Sequence, residues 1–114
     1  MPKYTGLVID ARGLNMRPAL IPKIFDTSGQ ELYQGSYVPS EKAAQNGLVL
    51  YSRDLTAAQT HPRVGKNPLT VKGVKIKAPA LSDIVLRGED SPKVRPFARG
   101  GTFLEECKVM IVVD

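Results

Sequence analysis

Two stretches of the chain offer no polar residue to turn toward water. Leu7-Val8-Ile9 and Met110-Ile111-Val112-Val113 are short and unbroken in their apolar character. A strand with one wet face alternates, so runs of this kind belong to strands covered on both faces. They predict a sheet with these two strands at its centre and with layers packed on either side. Val8, Ile9, Val109 and Ile111 are the expected heart of that core. The chain has 114 residues, the size of one domain, and at that length it buries enough surface to fold without staples.

The remaining elements arrange themselves around this centre. Ala19–Asp26 reads as a second strand, held to an edge or bulge by Pro22. Asp26-Thr27-Ser28-Gly29 is a turn signature, so Glu31-Leu32-Tyr33 should pair back as a hairpin. Ser40 after Pro39 is an N-cap, and Ala44, Gly47, Leu48, Tyr51, Leu55 and Ala58 follow at helical spacing. The pattern predicts a helix over 40–60, ended by Pro62, with a break at Asn46-Gly47 left open. Leu69–Lys77 alternates but slips phase at Gly73, where a β-bulge would keep Leu69, Val71, Val74 and Ile76 on one side. Asp83–Arg87 is a short strand, Gly88–Thr102 a mobile loop, and Cys107–Val113 the last strand after one turn at Phe103–Glu106. The expected fold is a single α+β domain over 1–114. Its sheet is mixed but mostly antiparallel, with one main helix on one face.

The residue inventory narrows the chemistry. One Cys and one His exclude an internal disulfide and an all-Cys/His zinc site. No apolar run approaches the ~20 residues of a membrane helix. His61 sits at the predicted helix end and Cys107 in an apolar strand, and neither has a partner placed by sequence, so no catalytic role is expected of them. Gly65-Lys66-Asn67 lacks the remainder of a phosphate loop. Asp10 and Arg12 end the first strand. They fit either a turn pinned by an Asp–Arg contact or the polar rim of a small-ligand enzyme or sensor. Lys plus Arg total 16 against 11 Asp plus Glu, a charge of +5. Lys72, Lys75 and Lys77, joined by Arg63 and Lys66, could form a basic stripe for nucleic acid or another polyanion. With seven Tyr and Phe and no Trp, stacking platforms for single strands are few, and acidic lipid headgroups answer the same charge without them.

Three segments carry a family resemblance. They are Tyr4-Thr5-Gly6-Leu7-Val8-Ile9-Asp10-Ala11-Arg12-Gly13-Leu14, then Tyr51–Gln59 with Pro62-Arg63-Val64-Gly65 and Asn67-Pro68-Leu69, and finally Cys107–Asp114. Together they resemble a domain at the C-terminal end of bacterial envelope proteins related to membrane-associated lipoproteins, which include flagellar outer-membrane assembly factors. The resemblance implies a secreted, non-enzymatic domain excised from a longer protein, periplasmic or outer-membrane associated. It brings no catalytic residues and no cofactor. A protein partner in the envelope is expected, with acidic lipid or polyanion as further candidates. Contacts should come from exposed loops: the turn with Asp10 and Arg12, and Lys93, Arg95, Phe97 and Arg99 in the loop 88–102.

Overall fold

The computed structural model describes residues 4–35, 38–98 and 102–114. Seven strands form one sheet: β1 (Gly6–Asp10), β2 (Ile24–Phe25), β3 (Glu31–Tyr33), β4 (Leu50–Ser52), β5 (Pro68–Ile76), β6 (Ile84–Leu86) and β7 (Val109–Val112). Their order is β3-β2-β6-β5-β1-β7-β4, so β1 and β7 lie inside the sheet as their apolar runs require. Val8, Ile9, Val109 and Ile111 are all fully buried. Leu7, Ile9, Val109 and Ile111 face one side and join the main core with Ile24, Tyr33, Leu48 and Leu86. Val8, Met110 and Val112 face the other side, under Ala58 and Val64.

The class is α+β and the sheet mixed, but the expected antiparallel majority is corrected. Four of the six pairings among the described residues are parallel (β1·β5, β1·β7, β4·β7 and β2·β6), and two, β2·β3 and β5·β6, are antiparallel. The continuous apolar runs already carried this signature, because parallel strands need crossovers that cover both faces. One crossover runs from β4 at the edge back to β5, through α2 (Leu55–Gln59) and a 3₁₀ turn at Pro62–Val64. This passage lies close over β1: a Cβ added to Gly6 would stand 2.6 Å from Val64 Cα.

The single helix over 40–60 is likewise corrected. It divides into α1 (Ser40–Asn46), the edge strand β4 and α2. Gly47 takes φ 72 and ends α1, and Asp54 starts α2 by accepting the Ala57 N–H. The loop expected over 88–102 contains α3 (Ser91–Val94) and a 3₁₀ turn at Arg95–Phe97. Pro92 and Pro96 fall in the first turns of these pieces, where a missing N–H breaks no helical bond. The strand expected at Ala19–Asp26 shrinks to Ile24–Phe25, preceded by a strap over 17–23. On β5 the register shifts between Gly73 and Lys75, as the phase slip predicts. The inward slot there belongs to Gly73, whose added Cβ would meet Ile84 at 2.7 Å, and Val74 is exposed instead of lining the core.

The hairpin between β2 and β3 is pinned by Asp26. Its carboxylate accepts the main-chain N–H groups of Ser28 and Gln30, the Ser28 hydroxyl, and Arg95 Nη2 at 2.6 Å. The Ser28 hydroxyl, helped by the other donors, outweighs burial and lowers the Asp26 pKa from 3.8 to about 2. A carboxylate depressed in this way stabilises the fold above its unfolded pKa and loses that contribution as pH falls through its folded one. The melting temperature is therefore expected to hold steady above about pH 4 and to fall between about pH 4 and 2. Asp26→Asn should flatten that fall, and an unchanged profile would show that Asp26 contributes nothing to acid stability.

Candidate functional site

The carboxyl ends of β5, β1, β7 and β4 point the same way, the edge at which open α/β sheets receive ligands. Here Asp10 and Arg12 close on each other. Arg12 Nε and Nη2 donate to the two Asp10 oxygens at 2.9 Å each, and the Arg12 N–H adds a third bond at 3.1 Å. Lys72 Nζ stands 4.0 Å from the same carboxylate. The Arg12 hydrogen bonds hold Asp10 below the usual carboxylate range against the effect of burial. Beside them the Gly13 N–H donates to the Asp114 carboxylate at 2.8 Å. The pair is thus a pinned turn. The adjoining cavity of roughly 440 Å³ reaches Pro18, Tyr51, Ser52, Arg53 and Asp114.

The residues singled out between 88 and 102 are also engaged within the fold. Lys93 pairs with fully buried Asp90 at 3.4 Å, and Arg87 meets that carboxylate at 3.1 Å. Burial acts to raise the Asp90 pKa, but the donors from Arg87, Lys72 and Lys93 bring it below its ordinary value. Arg95 is bound to Asp26. Phe97 packs edge-on against Tyr4 at 5.9 Å and tilted against Phe103 at 4.9 Å. Arg99 lies outside the described residues. The basic stripe is not a row of free charges either. Lys72 leans on Asp10, Lys77 sits 5.2 Å above the Phe25 ring, and Lys75 is exposed.

His61 and Cys107 serve the turn that Arg63 organises. His61 Nδ1 accepts the Arg63 N–H at 3.0 Å and caps the 3₁₀ turn. Arg63 Nε donates to the Cys107 carbonyl at 2.7 Å, and Nη1 and Nη2 donate to the Asn46 and Gly47 carbonyls at 2.8 and 2.6 Å. One guanidinium so ties the end of α1 to the residue before β7, satisfying carbonyls that a helix end leaves open. Cys107 is buried, and burial pushes its thiol pKa up, away from a reactive thiolate.

The family of the chain is now decidable. Residues 6–114 match the family model of the Treponema pallidum Tp0624 second domain. The chain belongs to that family. No curated protein matches it. The match covers both central strands and every element between them, so the whole sheet of this Tp0624 second-domain relative is family architecture.

One surface escaped the sequence. In the strap over 17–23, Leu20 is 88% exposed and Ile21 65%. The strap is tied down at three points: the Arg17 N–H donates to the Leu81 carbonyl, Tyr51 Oη bonds both the N–H and the carbonyl of Ala19, and the Lys23 N–H donates to Asp83. Between strap and α1 lies an apolar groove of roughly 460 Å³, lined by Leu20, Ile21, Ala43, Ala44, Gly47 and Leu48. In this Tp0624-family domain the signal was present as Pro18 and Pro22 bracketing Ala-Leu-Ile. An apolar triplet of that kind also reads as strand, which hid it.

Proposed function

We propose that the chain is a non-catalytic interaction domain of a bacterial envelope protein, periplasmic or outer-membrane associated. It holds its parent against another envelope component through the strap and the neighbouring groove. The observation that supports this reading is the pinned strap, with the large aliphatic side chains of Leu20 and Ile21 held out of the core by three fixed ties. A single well-held aliphatic tip beside an apolar groove is the form of a contact surface. Enzyme or sensor chemistry at Asp10 and Arg12 draws less support, since each carboxylate oxygen of Asp10 is already taken by Arg12. A polyanion track along β5 is weakened by the engagement of Lys72 and Lys77.

The experiment exports the domain to the periplasm of its bacterium and fractionates the cells. Wild type is expected to sediment with the envelope. The Leu20→Asp/Ile21→Asp variant, with its melting temperature unchanged, is expected in the released periplasmic fraction. Equal sedimentation of the two, or a wild type found wholly in the released fraction, defeats the reading.

A further inference from the structure

We propose that the strap over 17–23 docks on an anionic lipid surface, with Leu20 and Ile21 entering the apolar boundary and the flanking cations meeting the headgroups. The inference rests on the interaction reading above and names the partner of that surface.

Three observations carry it. The first is the shape of the apolar group. Leu20 and Ile21 form the tip of the strap, and Leu81, 51% exposed, stands at its base. The second is the state of the main chain. Pro18 and Pro22 have no N–H, and the N–H groups of Arg17, Ala19 and Lys23 are already bonded. Only the Leu20 and Ile21 donors would lose water on insertion, so the usual cost of desolvating irregular backbone is small here.

The third is charge. Arg17 and Lys23 bracket the tip, and among the described residues neither side chain has a carboxylate within ion-pair distance. Arg53 shares a cavity with Pro18, and the Lys77 N–H donates to the Asp83 carbonyl at the far end of the strap. Against these four cations stand Asp83 and Asp114, whose carboxylates accept main-chain N–H groups. An aliphatic tip flanked by basic residues is complementary to an anionic interface, where burial and attraction to acidic headgroups add. A second copy of the chain would instead bring like cations together on molecules of net charge +5.

The test uses vesicles of phosphatidylcholine with phosphatidylglycerol, and of phosphatidylcholine alone. The chain contains no Trp, so Leu20→Trp supplies a single emission reporter at the tip. Wild type is expected to sediment with the anionic vesicles and not the neutral ones. The indole emission of the Leu20→Trp variant is expected to shift to the blue only with the anionic ones. Leu20→Asp should abolish sedimentation, and Arg17→Glu/Lys23→Glu should weaken it by about tenfold or more, as should added salt. Thermal melts confirm that each variant folds. Absence of wild-type binding to anionic vesicles, equal binding to neutral ones, or an unaffected charge-reversal variant overturns the proposal. So does a blue shift that rises with protein concentration without lipid, which would assign the tip to a second copy. If the strap variants leave the envelope fraction in cells while anionic vesicles fail to bind wild type, the interaction reading stands and the partner is an acidic protein surface.

Discussion

Replacing Ile111 with alanine is expected to destabilise the domain by about 2–5 kcal/mol. Ile111 is fully buried in β7, paired with Ile9 on one side and Tyr51 on the other, and its side chain belongs to the main core. The strands around it are fixed by their ladders, so the cavity left by the lost carbons cannot collapse freely, and transfer and cavity costs add. Ile111→Val should cost about 0.5–1.5 kcal/mol by the same argument. Urea unfolding of the three proteins measures this. A loss near zero for the alanine variant would mean that the centre of the sheet is not where the core is packed.

Gly65→Ala is the second large effect, expected at about 2–4 kcal/mol, from the backbone strain of a region open almost only to glycine and from overpacking. Gly65 follows the 3₁₀ turn with φ 72 and ψ −162. A Cβ built there would stand 2.7 Å from Thr5 Cβ and Oγ1. Thr5 cannot simply move, because its hydroxyl donates to the Val64 carbonyl at 2.6 Å and accepts the Asn67 N–H at 2.9 Å. Gly13→Ala is the control: φ 83 there carries strain, but nothing lies within 4 Å of the added carbon. Denaturant midpoints should therefore rank wild type, Gly13→Ala and Gly65→Ala in falling order. Equal losses at the two positions would remove the clash from the explanation.

The centre of the fold was legible because burial of β1 and β7 leaves a local trace, an apolar run with no polar alternative. The hairpin was legible for a similar reason. The Asp26 side chain reaches the N–H groups of Ser28 and Gln30, an exchange confined to five consecutive residues. The segment 40–60 misleads because three elements share helical spacing by coincidence. Leu48 packs in the main core, Tyr51 sits in a strand, and Ala58 belongs to the opposite cluster. Only the sheet decides that Gly47 ends a helix. Among the site residues, Asp10 and Arg12 were readable as a pinned turn from their spacing. The partners of Arg95 and Arg63 were not, since Asp26 is 69 positions from one and Cys107 is 44 from the other. The strap was visible as two prolines, but its exposure depends on Tyr51, a residue 32 positions away from Ala19.

The placement of β7 between β1 and β4 also governs how such a domain can be made. β1 is among the earliest segments to be synthesised, yet its Leu7–Asp10 partners are Val109–Val112. Until that segment leaves the ribosome, or clears a translocation pore, β1 lacks a neighbour and β4 has no strand to pair with. The fold therefore has no stable halfway product, and pairings this distant in sequence make it slow to close. Nascent chains would remain export-competent for most of their synthesis, and a prematurely terminated chain would expose its central strand to proteases instead of persisting as a shortened domain.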